Sequence, residues 1–172
     1  MGTRHIHCLK QPKGNYRFQY LQFDGYPSYQ LGRVLQDIMP KVMRMEMDFG
    51  KPTSKQGRDT LRAFLDAYLT LRSFDSGHSV GNTWKGKMPE DVTSFGEKCW
   101  AEYIYIYDPV HVTLTVQSVG TETSYRLPLL DEKQQAAMGF DPHNHGRSNE
   151  TTLNAFCKRV ENVVQGKTDE NA

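Results

Sequence analysis

The chain has no long apolar run, no closely spaced cysteine pair and no excess of charge of either sign, and each lack excludes a class of protein. No stretch approaches the ~20 apolar residues that a membrane-spanning helix needs. The opening MGTRHIHCLK turns polar too early for a secretory leader. Gly2 stands where an N-myristoyl signal begins, but Ile6 occupies the place that motif gives to Ser or Thr. Cys8, Cys99 and Cys157 are odd in number and far apart, which predicts reduced thiols in a cytoplasmic protein rather than a disulfide frame. Lys and Arg number 21 against 20 Asp and Glu, a net charge of +1. A generic nucleic-acid binder needs a basic excess to release counterions from phosphates. Neither a membrane nor bulk DNA is therefore an expected partner.

What remains is the composition of a globular domain: 37% hydrophobic and 24% charged over 172 residues, enough chain to bury a core without metal or disulfide. The expectation is one domain over residues 1–165, followed by a polar tail at 166–172. HIHCLK and YRFQYLQF alternate around the turn-forming QPKGN and predict an antiparallel hairpin. After Asp24-Gly25-Tyr26-Pro27 the period changes. Leu31, Val34, Leu35, Ile38 and Val42 form one helical stripe, with Ser28 as N-cap and Pro40 expected to end or kink the helix. A linker over residues 48–57 leads to a second helix, with stripe Leu61, Phe64, Leu65, Tyr68 and Leu69 and Asp59 as its cap. Residues 73–98, dense in Gly, Ser and charge, read as a long loop or insertion. WAEYIYIYD and VHVTLTVQSV predict a second hairpin about Asp108-Pro109, SYRLPLL a short edge strand stopping at Pro128, and Leu153, Phe156, Val160 and Val164 a last helix. The order β-β-α-α-loop-β-β-β-α implies an α+β fold: an antiparallel sheet of two hairpins with amphipathic helices on one face.

The start MGTR, the FDGYP after the second strand, the Leu31-Gly32 that opens the helix and the later EYIYIYD form a set. Together they resemble a family of small proteins seen in bacteriophages and also in bacteria and fungi, with an N-terminal Met-Gly-Thr-Arg and an aromatic-Asp-Gly-Tyr-Pro turn. The resemblance covers Met1 to about Leu35 and, more loosely, Glu102 to Asp108. Phe23 stands where Trp or Tyr is commoner in that family. The resemblance implies no reaction and no catalytic residues. It implies a phage-type protein that acts on a component of its host.

The candidate site residues follow from chemistry. Asp24 and Tyr26 lie at the mouth of a helix N-terminus, where exposed N–H groups favour an anion, although the same turn has a purely structural reading in which Gly25 takes a positive φ. Arg4 is either clasped by Asp24 or free to fork a phosphate or carboxylate. Arg58 and Arg62, one turn apart, form with Lys51 and Lys55 a basic docking surface or a solvated face. Trp84 and Phe95 give the long loop aromatic anchors. Tyr103, Tyr105 and Tyr107 share a strand face and, if exposed, would make a stacking platform. His5 and His7 share a face, and with Asp24 would make a small metal site; Asp141 and the His143–His145 loop are the other sources of a third ligand. Cys8 reads as a small buried apolar residue, facing away from His7. Two functions result. The first is a non-catalytic phage accessory protein, without cofactor, that binds and blocks a host protein or nucleotide-type signal through Arg4, Asp24, Tyr26, Arg58, Arg62 and Trp84, with counter-defence as a use. The second is a small, metal-dependent hydrolase built on His5, His7 and Asp24.

Overall fold

The computed structural model describes residues 3–21, 23–50, 53–75, 84–87, 100–144 and 147–167. Strand β1 (His5–Lys10) turns through Pro12–Gly14 into β2 (Asn15–Leu21). Two long helices follow, α1 (Pro27–Phe49) and α2 (Lys55–Asp75), then β3 (Trp84–Lys87), β4 (Tyr103–Asp108), β5 (Thr113–Ser118) and β6 (Ser124–Pro128). Helices α3 (Glu132–Ala137) and α4 (Glu150–Val164) close the order. The strands form one sheet in the order β3-β2-β1-β4-β5-β6. The expected α+β class and the helices packed on one face are present. The two hairpins are joined by a parallel pairing of β1 with β4, His5 beside Tyr103 and Leu9 beside Tyr107, so the sheet is mixed. A parallel neighbour needs a long crossover, which α1 and α2 supply.

Strand alternation sorts the side chains. Leu9, Tyr103, Tyr105, Tyr107, Leu114 and Val116 join the apolar stripes of α1, α2 and α4 in the main core. Ile6, Cys8, Phe18 and Ile104 make a smaller cluster on the other face. β1 therefore lies buried on both sides, which suits a central strand.

Several local expectations are corrected. Pro40 lies inside α1, so of the two outcomes expected of it, ending or kinking the helix, the first does not occur. Ser28 lies within α1 rather than capping it, and its N–H donates to the Glu161 carboxylate of α4 at 2.7 Å. Helix α2 starts at Lys55, where Ser54 Oγ accepts from the Gly57 N–H at 3.1 Å. Asp59, the expected cap, is inside the helix and pairs with Arg62 at 3.2 Å. The segment 73–98 is not all loop: its first residues finish α2, and Trp84–Lys87 pair with β2 as an edge strand. Phe95 lies outside the described residues. Helix α3 arises between the two stretches read as edge strand and loop, capped by the Asp131 side chain on the Gln134 N–H at 2.9 Å.

Candidate binding surface at one end of the sheet

The Asp24-Gly25-Tyr26-Pro27 turn is tied on every side. The Gly25 N–H donates to the Thr3 carbonyl at 3.0 Å, and the Gly25 carbonyl accepts from the buried Tyr105 hydroxyl at 2.5 Å. A Cβ at position 25 would stand 2.5 Å from His5 Nδ1. The positive φ belongs to Asp24, at 57°, and not to Gly25 as its composition suggested. Gly25 is there for close approach to an imidazole. The Tyr26 carbonyl accepts from the Tyr29 and Gln30 N–H groups at 3.0 and 2.9 Å, opening α1 with Pro27 in its first position.

Behind the turn, His5 and His7 are buried, 1% and 0% exposed, with ring centroids 5.0 Å apart. His7 stacks on Tyr105 at 5.4 Å. Its Nε2 accepts from the Gln30 amide at 3.1 Å, which leaves the proton on Nδ1 to be donated to the Tyr107 hydroxyl at 2.8 Å. The two imidazoles thus belong to a packed polar and aromatic layer between β1, β4 and the first turn of α1. Burial holds the Tyr105 hydroxyl pKa well above its ordinary value. Burial also raises both described thiols, Cys8 strongly and Cys157 to about 12, the latter helped by the Glu161 charge. Neither thiol is poised as a nucleophile.

The other candidates separate. Tyr103, Tyr105 and Tyr107 are 5%, 0% and 1% exposed, so they form no stacking platform. No Arg4–Asp24 ion pair forms. Asp24 is exposed and has no partner among the described residues, while the Arg4 guanidinium lies over the Trp100 ring, 5.4 Å from its centroid. Arg58 and Arg62 do share a face of α2. Tyr68 bonds Asp37 across the α1–α2 hairpin, so both arginines lie toward the far end of α1 from Tyr26 and are not brought to Arg4. Lys51 lies outside the described residues. Trp84 is described only through its backbone, opposite Phe18. His143 is exposed, its N–H donating to Asp141 Oδ1 at 2.8 Å, and His145 lies outside the described residues. Among the described residues no three His, Cys, Asp or Glu side chains are grouped to hold a metal.

What the fold does assemble is an aromatic rim. β1 begins, β2 ends, β4 begins and β5 ends on the same edge, because Leu21, His5, Tyr103 and Ser118 stand in one row across the sheet. Just beyond that row the chain exposes Phe23 (36%), Tyr26 (37%) and Trp100 (75%), with Tyr29 (43%) on the first turn of α1. Tyr26 and Tyr29 lie 6.0 Å apart. A cavity of about 370 Å³ opens beside Tyr29 between α1 and α4, bordered by Arg33, Gln36, Glu150 and Asn154. A second, of about 430 Å³, opens beside Trp100. Of the residues at this end, the sequence singled out Arg4, Asp24 and Tyr26 and did not single out Tyr29, Trp100 or Glu102. Tyr29 stands off the Leu31–Leu35 stripe, which was a signal of exposure. Trp100 looked like the first residue of a strand.

The molecule is thus an α+β domain with an exposed aromatic surface at one end of its sheet and with His5 and His7 sealed behind that surface. No family model, no curated protein and no solved structure matches the chain. No helix among the described residues is long and apolar enough to cross a membrane.

Proposed function

We propose that this is a non-catalytic accessory protein that binds a host protein and blocks it, and that the aromatic rim is the surface it uses. The observation that carries this reading is the gathering of Phe23, Tyr26, Tyr29 and Trp100, with Arg4, at one end of the molecule. Aromatic residues and Arg are the side chains enriched at the energetic centres of protein interfaces. The resemblance of the first 35 residues to a phage-borne family supports a host component as the target, and counter-defence as the purpose. Exposed Asp24 and Glu102 flank the rim, which favours a protein over a nucleotide-type signal, because carboxylates repel phosphates. The hydrolase alternative needs imidazoles that substrate and water reach, whereas His5 and His7 are closed off and Asp24 bonds to neither.

Native mass spectrometry of the protein purified from its natural host, without chelator, tests this. The expected result is a stoichiometric complex with one host protein. A retained divalent metal together with turnover of a substrate, or a retained nucleotide-sized mass, would contradict it.

A further inference from the structure

The cavity of about 430 Å³ at the rim is lined by Trp100, Glu102, Ser118, Val119, Gly120 and Gln165. Three of its features favour a cation. The Trp100 indole is three-quarters exposed on a backbone of φ 56°, a left-handed conformation that L-residues rarely adopt. Its ring already attracts one guanidinium, that of Arg4. Glu102 is exposed, and among the described residues its carboxylate makes no hydrogen bond or ion pair. The third feature is the C-terminal end of α4, whose last turn carries no basic side chain and whose cap, Gln165, borders the cavity while its amide donates to the Tyr103 hydroxyl at 2.6 Å. A helix C-terminus carries partial negative charge. Among the described residues that line the cavity, the charged one is the acidic Glu102.

We propose that this cavity receives an arginine side chain of the protein partner, its guanidinium laid on the open part of the Trp100 ring and forked onto the Glu102 carboxylate. Arginine fits better than lysine because a planar guanidinium stacks on an aromatic face and meets a carboxylate through two parallel N–H bonds. The proposal rests on the reading that this end of the sheet binds a protein, and it supplies that partner's anchor chemistry.

The test is a ¹⁵N NMR titration with acetyl-arginine amide, acetyl-citrulline amide and free arginine. Citrulline keeps the shape and loses the charge. The expected result is a saturable shift of the Trp100 indole N–H and the Gly120 amide with acetyl-arginine amide. Citrulline amide, and arginine amide against Glu102→Gln, should bind at least about tenfold more weakly, the factor that loss of one charge-assisted pair implies. Equal binding of the citrulline compound, no saturable shift at about 100 mM, or tighter binding of free arginine, which marks a small-molecule site, would each overturn it. Co-purification from the host separates this failure from failure of the wider reading. If the partner is lost with Tyr26→Ala and Tyr29→Ala but kept with Glu102→Gln, the arginine anchor falls and the binding surface stands. If none of these changes matters, both fall.

Discussion

A methyl group at position 25 would enter the space of the His5 ring, with Nδ1, Cβ and Cγ all within 2.6 Å. That ring is buried and packed against His7 and Tyr105, so it has little room to yield. Gly25→Ala should therefore lower stability by about 1–3 kcal/mol, the usual cost of overpacking, read as a lower melting temperature in thermal unfolding. The FDGYP sequence showed that a turn was needed here, but not which residue took the left-handed conformation, since Asp and Gly both tolerate it. The contact that demands glycine comes from β1, and no local pattern encodes it. The other end of the sheet was more legible. Asp108, placed by its sequence at the β4–β5 turn, accepts from the Val110 and His111 N–H groups at 3.0 and 3.2 Å and from His111 Nδ1 at 2.8 Å. Burial alone would raise its pKa, but the His111 hydrogen bonds and the Lys10 and His111 charges outweigh it and hold the carboxyl below its ordinary value. A depressed folded pKa contributes stability that is complete above the unfolded value, about 3.9, and is lost as pH falls through the folded one. The melting-temperature gap between the natural protein and Asp108→Asn should accordingly narrow as the pH falls below about 4.

Helix periodicity was the most legible feature at the scale of the elements. The stripes Leu31–Val42 and Leu61–Leu69 are the ones buried in the main core. Helix ends were less legible because two of them are settled by distant or unexpected groups. Ser28 looked like a cap on composition alone, yet the acceptor at this helix start is Glu161, 133 residues later. That carboxylate meets both an unpaired N–H and the positive end of the α1 dipole, and it locks α4 to α1 beside the rim. Glu161→Ala should cost about 1 kcal/mol in chemical denaturation, with Glu161→Gln, which keeps an acceptor, losing less. The parallel β1–β4 pairing was invisible for the same reason as the cap. Each strand shows its own alternation, but its neighbour 98 residues away (His5 beside Tyr103) is chosen by the helical crossover and the shared core.

At the scale of the whole molecule, burial and exposure divide the polar and aromatic groups into two sets. His5, His7, Tyr105 and Tyr107 sit inside, where they hold β1, β4, the turn and α1 in register. Phe23, Tyr26, Tyr29 and Trp100 sit outside at the same end, from 36% to 75% exposed. The sequence marked both sets as aromatic or ionisable, and did not say which was which, since that depends on the row in which the strands start and stop. The measurement that tests this division most directly is quantitative mass spectrometry of host proteins co-purifying with three forms of the chain. These are the natural protein, the triple change Phe23→Ala, Tyr26→Ala and Trp100→Ala, and Leu71→Ala, which removes an exposed apolar side chain from α2 (64% exposed). Thermal unfolding of each is recorded alongside. One host protein should be lost from the triple variant and kept by Leu71→Ala, while all three forms melt within a few degrees of one another. Retention of that protein by the stably folded triple variant would contradict this division.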